Sequence, residues 1–197
     1  MKRESRSADS ADGFSFLKKN EELNEQICET FIFSSGNMSD SGFHQIKGYE
    51  INGSTPLPEF EGKMVYMKDF SSGQLVDSAE IVHGKFDFSD TVTIVSPVVK
   101  VLSIRAGKSG LEYRLPVVIE NGSIQAYISD VVCTGGTMLN ERMQDFLMAV
   151  DEYSTACENK QTEQIKSGFA DLLKKYIEIN DDNAVGEYIR TAYRSSL

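Results

Sequence analysis

Glu112–Ile119 (EYRLPVVI), Asn121-Gly122 and Ser123–Val132 (SIQAYISDVV) make up the stretch on which the reading of the fold turns. Both arms lie in the region from Lys63 to Val132 where the pattern has a period of two, that of strands. Asn121-Gly122 tolerates the positive φ of a type I′ turn, so the stretch predicts an antiparallel hairpin.

Upstream the period of two continues. Thr91–Arg105 is apolar on both parities, as in a strand covered on two faces or one that switches faces at a bend; Pro97 marks the bend, because proline cannot donate to a central ladder. Met64, Tyr66 and Phe70 are separated from Leu75–His83 by the hairpin-type loop Ser71-Ser72-Gly73. His83, Lys85 and Asp87 share one parity and Phe86 and Phe88 the other, which predicts a polar outer and an apolar inner face. Residues 34–62 are broken by Gly36, Gly42, Gly48, Gly53, Pro56, Pro58 and Gly62 and read as loop around one strand, Ile46–Ile51. About six or seven strands follow from this count, a small antiparallel β-barrel or sandwich.

Downstream the period becomes helical. Met143, Phe146, Leu147, Val150, Tyr153 and Cys157 fall on one helix face. Ile165, Phe169, Leu172, Leu173, Tyr176 and Ile177 form a stronger stripe, and Val185, Ile189, Ala192 and Tyr193 a third. Thr137 or Asn140 is placed to cap the first helix, and Asn180-Asp181-Asp182-Asn183 to cap the last. The expected fold class is α+β, with about three amphipathic helices after the β-core. Residues 1–13 hold too little apolar surface to order and read as a flexible tail. Residues 14–136 read as a β-rich domain with a short N-terminal helix whose stripe is Phe16, Leu23 and Ile27, with Leu17 and Phe31 close to it. Residues 137–197 read as a helical segment.

The 197 residues carry 30 acidic and 20 basic side chains, a net charge of −10. That field repels nucleic acid and anionic lipid at long range, although a local groove around Arg105, Lys108 and Arg114 stays compatible with it. No apolar run reaches the length of a membrane span and no secretory signal is visible, so no membrane association is expected. Cys28, Cys133 and Cys157 are sparse, odd in number and without CxxC spacing, which reads as unpaired thiols in the cytoplasm.

No motif carries chemistry. Gly107-Lys108-Ser109 lacks the preceding glycine of a phosphate-binding loop, since Leu102 stands there. His44 and His83 belong to no ligand-spaced cluster, so neither a metal nor a cofactor is expected. Cys133-Thr134-Gly135-Gly136-Thr137 lies between strand and helix, where helix-terminal amides would acidify a thiol, but nothing local supplies a base. The leading expectation is a non-enzymatic interaction or assembly protein whose β-core presents helices to another protein or a second copy, with Tyr153, Tyr176, Tyr188 and Tyr193 as anchors. The alternative is a single-stranded nucleic-acid binder using Arg105, Lys108, Tyr113 and Arg114, with other β-region rings (Tyr66, Phe70, Phe86, Phe88, Tyr127) as a stacking platform. A third is a cysteine-dependent enzyme centred on Cys133.

Overall fold

The structure, a computed structural model, describes Cys28 and residues 47–105, 110–157 and 161–197. Among the described residues there are eight strands, β1 (Tyr49–Ser54), β2 (Met64–Asp69), β3 (Leu75–Glu80), β4 (Lys85–Asp90), β5 (Val98–Arg105), β6 (Glu112–Ile119), β7 (Gly122–Ile128) and β8 (Val132–Gly135). Helices α1 (Met138–Thr155), α2 (Thr162–Ile179) and α3 (Ala184–Ala192) follow. The strands form two four-stranded sheets, ordered β4-β1-β7-β8 and β3-β2-β5-β6. All pairs are antiparallel except β1 with β7. The fold is therefore α+β, a sandwich-like pair of sheets rather than a closed barrel, with the helices after it. The proposed tail (1–13) and N-terminal helix lie outside the described residues, apart from Cys28.

Alternation builds the core between the sheets. Val65 and Met67, Leu102 and Ile104, and Leu115 and Val117 point inward from one sheet; Phe86, Phe88, Ile124, Ala126 and Ile128 meet them from the other. Gly53 is opposite Phe86 on β1, and a Cβ there would lie 2.0 Å from the Phe86 ring. The missing side chain is what lets that ring cross the strand. Outward positions on β4, Lys85 and Asp87, are exposed as the parity requires.

Three local expectations are corrected. Asn121-Gly122 is not a hairpin turn: β6 and β7 belong to different sheets, and β7 pairs with β1 and β8 instead. The Asn121 side chain ties loops together, its Oδ1 accepting from Gly48 N (3.3 Å) and Ile94 N (2.8 Å) and its Nδ2 donating to Ile94 O (2.7 Å). Long-range pairing overrode a strong local turn signal. Within Thr91–Arg105 only Val98–Arg105 is strand, and the chain up to Pro97 is loop. The first strand is Tyr49–Ser54, three residues beyond Ile46–Ile51.

The Ser71-Ser72-Gly73 turn does join an antiparallel pair, β2 and β3. Asp69 organises it, accepting from Ser71 Oγ (2.6 Å), Ser72 N (2.8 Å) and Ser72 Oγ (2.8 Å), while Lys100 Nζ reaches its other oxygen at 2.6 Å. Lys100 and these serine donors hold the Asp69 carboxyl well below the usual carboxylate range.

The helical layer is built into the sandwich. Val99 of β5 and Val118 of β6 form a second core with Leu139, Met143, Phe146, Leu173, Val185 and Ile189. Helix α1 also closes two sheet edges. Asn140 Oδ1 accepts from Val118 N (2.9 Å) and Thr134 Oγ1 (2.9 Å), and its Nδ2 donates to Val118 O (2.7 Å) and Thr137 Oγ1 (2.8 Å). Gln144 Oε1, one turn on, accepts from Thr134 N at 2.9 Å. Outer edges of β6 and β8 thus find polar partners in a helix, one of the ways a sheet edge is kept from pairing with other chains. The α1 amino end is met by Glu120, whose Oε1 accepts from Leu139 N at 2.7 Å, rather than by a Thr137 cap. Asn183 caps α3 as the sequence predicts, accepting from Val185 N and Gly186 N.

Candidate functional site

The α1–α2 hairpin outruns the sheet that it covers. In α1 the last fully buried side chain is Phe146; no residue from Leu147 to Ala156 is fully buried, and none from Thr162 to Leu172 of α2. These stretches nevertheless carry Leu147, Met148, Val150, Tyr153, Ile165, Phe169 and Leu172 on their apolar faces. Leu147, Val150 and Phe169 rest against the edge of the buried core, and all seven side chains stay partly open to solvent. The apolar stripes that form these helices are therefore covered only in part.

Clefts mark the overhang. One of about 350 Å³ runs between α1 and the β7–β8 turn, lined by Val131, Val132, Leu147, Met148 and Val150 and by Cys28. Another of about 560 Å³ lies between α1 and α2, lined by Val150, Tyr153, Ile165, Phe169 and the carboxyl-terminal Leu197. Ile179, at the far end of α2, is 54% exposed.

Gly168 sets how the two helices meet. A Cβ at this position would lie 2.4 Å from the Tyr153 hydroxyl oxygen, so glycine makes room for the ring despite its poor helix propensity. Tyr153 Oη donates to Ile165 O at 2.8 Å, and its ring lies 5.7 Å from that of Phe169. Desolvation is the largest cause that raises the Tyr153 phenol pKa.

Of the four tyrosines proposed as anchors, only Tyr153 belongs to the overhang. Tyr176 packs edge-on to Phe146 beside it. Tyr188 and Tyr193 turn inward against Phe146, and Tyr188 also meets Phe70 at 4.8 Å. Burial pushes the Tyr188 phenol up to about 12 and raises that of Tyr193. These two rings hold α3 against the sandwich. Ile165 and Leu172 stand on the stripe that the sequence predicts but are not among the expected anchors, and Met148 lies beside the first stripe. Periodicity alone does not show where along a helix the covering ends.

Arg105 and Arg114 share the outer face of the β3-β2-β5-β6 sheet, Arg105 opposite Glu112 and Arg114 opposite Ser103. Tyr113 is on the opposite parity and packs inward against Phe60, ring centroids 5.2 Å apart, so the expected quartet is split. Lys108 lies outside the described residues. Tyr66, Lys63, Lys68 and Arg105 instead line one cleft of about 530 Å³, where Lys68 bonds to Glu112 at 3.2 Å.

The expectation of three unpaired cysteines is corrected. Cys28 and Cys133 form a disulfide between residues 105 apart in sequence, and Cys157 is a buried free thiol. Cys133 has no thiol to act as a nucleophile in this state. His83 stands in a tight turn with φ 52°, where Glu61 accepts from the His83 and Gly84 amides, and His44 lies outside the described residues. Among the described residues no three His, Cys, Asp or Glu side chains gather as metal ligands. No described helix is long and apolar enough to cross a membrane.

The molecule is thus a two-sheet β-sandwich with a helical layer bonded to an edge strand of each sheet. Over residues 49–143, from β1 to the start of α1, the chain is similar to a family described as Domain of unknown function (DUF4369). None of the curated proteins matches it. The matched stretch covers the sandwich and stops before the overhanging part of α1.

Proposed function

We propose that this chain is a non-enzymatic interaction module: a rigid β-sandwich that holds out the distal half of the α1–α2 hairpin to another protein or to a second copy of itself. The observation that carries the reading is the set of incompletely covered apolar residues on Leu147–Tyr153 of α1 and Ile165–Leu172 of α2, flanked by clefts. Apolar surface of this kind, contiguous and rimmed by Asp151, Glu152 and Lys166, is the usual mark of a protein-binding face. Tyr153 and Phe169 supply the aromatic anchors that such faces favour. Light scattering across a concentration series tests the self-association arm. The mass is expected to rise above the 21.9 kDa of one chain and to fall back in Ile165→Glu and Leu172→Glu, both half-buried or better exposed sites that tolerate charge. A wild type that stays at one chain's mass and yields no cross-link from the overhang overturns the reading.

A second reading rests on a separate observation: Lys63, Lys68, Arg105 and Tyr66 around one cleft suit a single-stranded nucleic acid, cations for phosphate and a ring for base stacking. It requires oligonucleotide binding that weakens with salt and is lost in Arg105→Glu. Absence of binding at low salt removes it.

A further inference from the structure

The two sides of the sandwich are finished differently. Asn140 and Gln144 of α1 close the edges of β6 and β8, but β3 and β4, on the other side, pair with no described strand beyond β2 and β1. β3 is the more open, with five of its six residues exposed, Leu75 and Val76 among them. A bare edge of this kind is a template for another strand.

The register tells which groups face out. Ile81 N donates to Lys63 O at 2.8 Å, and antiparallel pairs alternate between those that exchange bonds and those that do not. Ala79 and Asp77 therefore bond to Val65 and Met67 of β2, whereas Ser78 and Glu80, opposite Tyr66 and Met64, turn their amides and carbonyls away from it. Asp77 Oδ1 already accepts from Ser78 N at 2.7 Å. An antiparallel newcomer can exchange both backbone bonds with Glu80 and donate to Ser78 O, the pattern of strand addition.

Charge selects the newcomer. β3 and β4 carry Asp77, Glu80, Asp87 and Asp90 against Lys85 alone. A second copy would bring its own Asp77 and Glu80 to this edge and crowd like charges along it. Lys68 and Arg105 stand on β2 and β5, and Lys68 is turned to Glu112 of β6, away from the edge. We infer that β3 is a strand-addition site, and that its partner is an extended segment of another protein carrying lysine or arginine among β-branched residues. The site is separate from the α1–α2 overhang. It ends at Glu80, because Val82 exchanges both of its backbone bonds with Lys85.

The probe is a short synthetic peptide of alternating lysine and valine, added to the full-length chain and followed by fluorescence anisotropy and by hydrogen exchange of the Glu80 amide. That amide is expected to exchange quickly in the free chain and to slow severalfold at saturation. Glu80→Lys, an exposed change, is expected to weaken binding severalfold. A peptide methylated on the backbone nitrogens of one edge keeps its charge but cannot pair through that edge, and methylation of one edge or the other is expected to abolish binding. Slow exchange before any peptide is added shows an edge already filled, by the same chain or a second copy, and overturns the proposal. Absence of binding overturns it too, as does equal binding of both methylated peptides, which leaves charge alone. Equal binding of an alternating glutamate–valine peptide refutes the choice of a basic partner.

Discussion

Replacing Asn140 by leucine tests whether the helical layer is part of the sandwich or an attachment to it. Asn140 is wholly buried, and its amide meets Val118 N, Val118 O, Thr134 Oγ1 and Thr137 Oγ1. Leucine has similar volume but no polar atoms. Thr137 is half exposed and regains water, whereas the Val118 amide, the Val118 carbonyl and the Thr134 hydroxyl are left dry. Each buried group without a partner costs about 1–3 kcal/mol, and the apolar gain of leucine offsets roughly one of them, leaving a loss of about 3–5 kcal/mol. For a domain of this size that lowers Tm by roughly 10 °C. Urea unfolding followed by far-UV circular dichroism reads the loss directly. Asn140→Asp makes the assignment specific. It keeps the acceptor contacts but sets a carboxylate against the Val118 carbonyl, so its deficit relative to wild type should shrink as acid protonates it. A leucine variant within about 1 kcal/mol of wild type, less than one unpaired buried group costs, would refute the argument that α1 seals the β6 edge.

Three further outcomes follow from the geometry. Asp69 has its pKa lowered on folding by Lys100 and the serine donors, so it contributes stability at neutral pH that drains away below about 4, where the unfolded carboxyl protonates; urea titrations against pH should show a shallower acid decline in Asp69→Asn. Gly168→Ala ought to gain about 1 kcal/mol from helix propensity alone, but the clash with the Tyr153 hydroxyl cancels that gain, and a full gain on denaturation would contradict the packing. Alkylation of the denatured, unreduced chain followed by mass spectrometry should modify only Cys157, and all three cysteines after reduction; modification of Cys28 without reductant would contradict the disulfide.

What the sequence made legible was local and periodic. Alternation around Phe86 and Phe88 predicts the inward face of β4, and the 3–4 spacing after Thr137 predicts three helices, because both patterns are set by the geometry of a single element. What it hid was pairing over distance. Asn121-Gly122 carries every local mark of a hairpin, yet Ile119 and Gly122 go to separate sheets, β6 pairing with β5 and β7 with β1, partners far away in sequence. The disulfide was hidden for the same reason: residues 105 apart in sequence give no spacing to read, and an odd count pointed toward free thiols. The candidate site was half visible. Tyr153 and Phe169 stand on stripes any periodicity analysis finds, but the point where full burial stops, after Phe146, is set by the other layer. Tyr188 and Tyr193 look equally suitable in sequence and are spent on holding α3.

The most direct test of the central claim is site-resolved photo-cross-linking in the full-length chain under native conditions. A photoreactive phenylalanine is placed at Ile165 on the overhang or at Val82, a more exposed apolar site on the β3–β4 turn. The account expects discrete adducts with another chain from position 165 and none from position 82, and it is contradicted if the two positions cross-link alike or only the turn does.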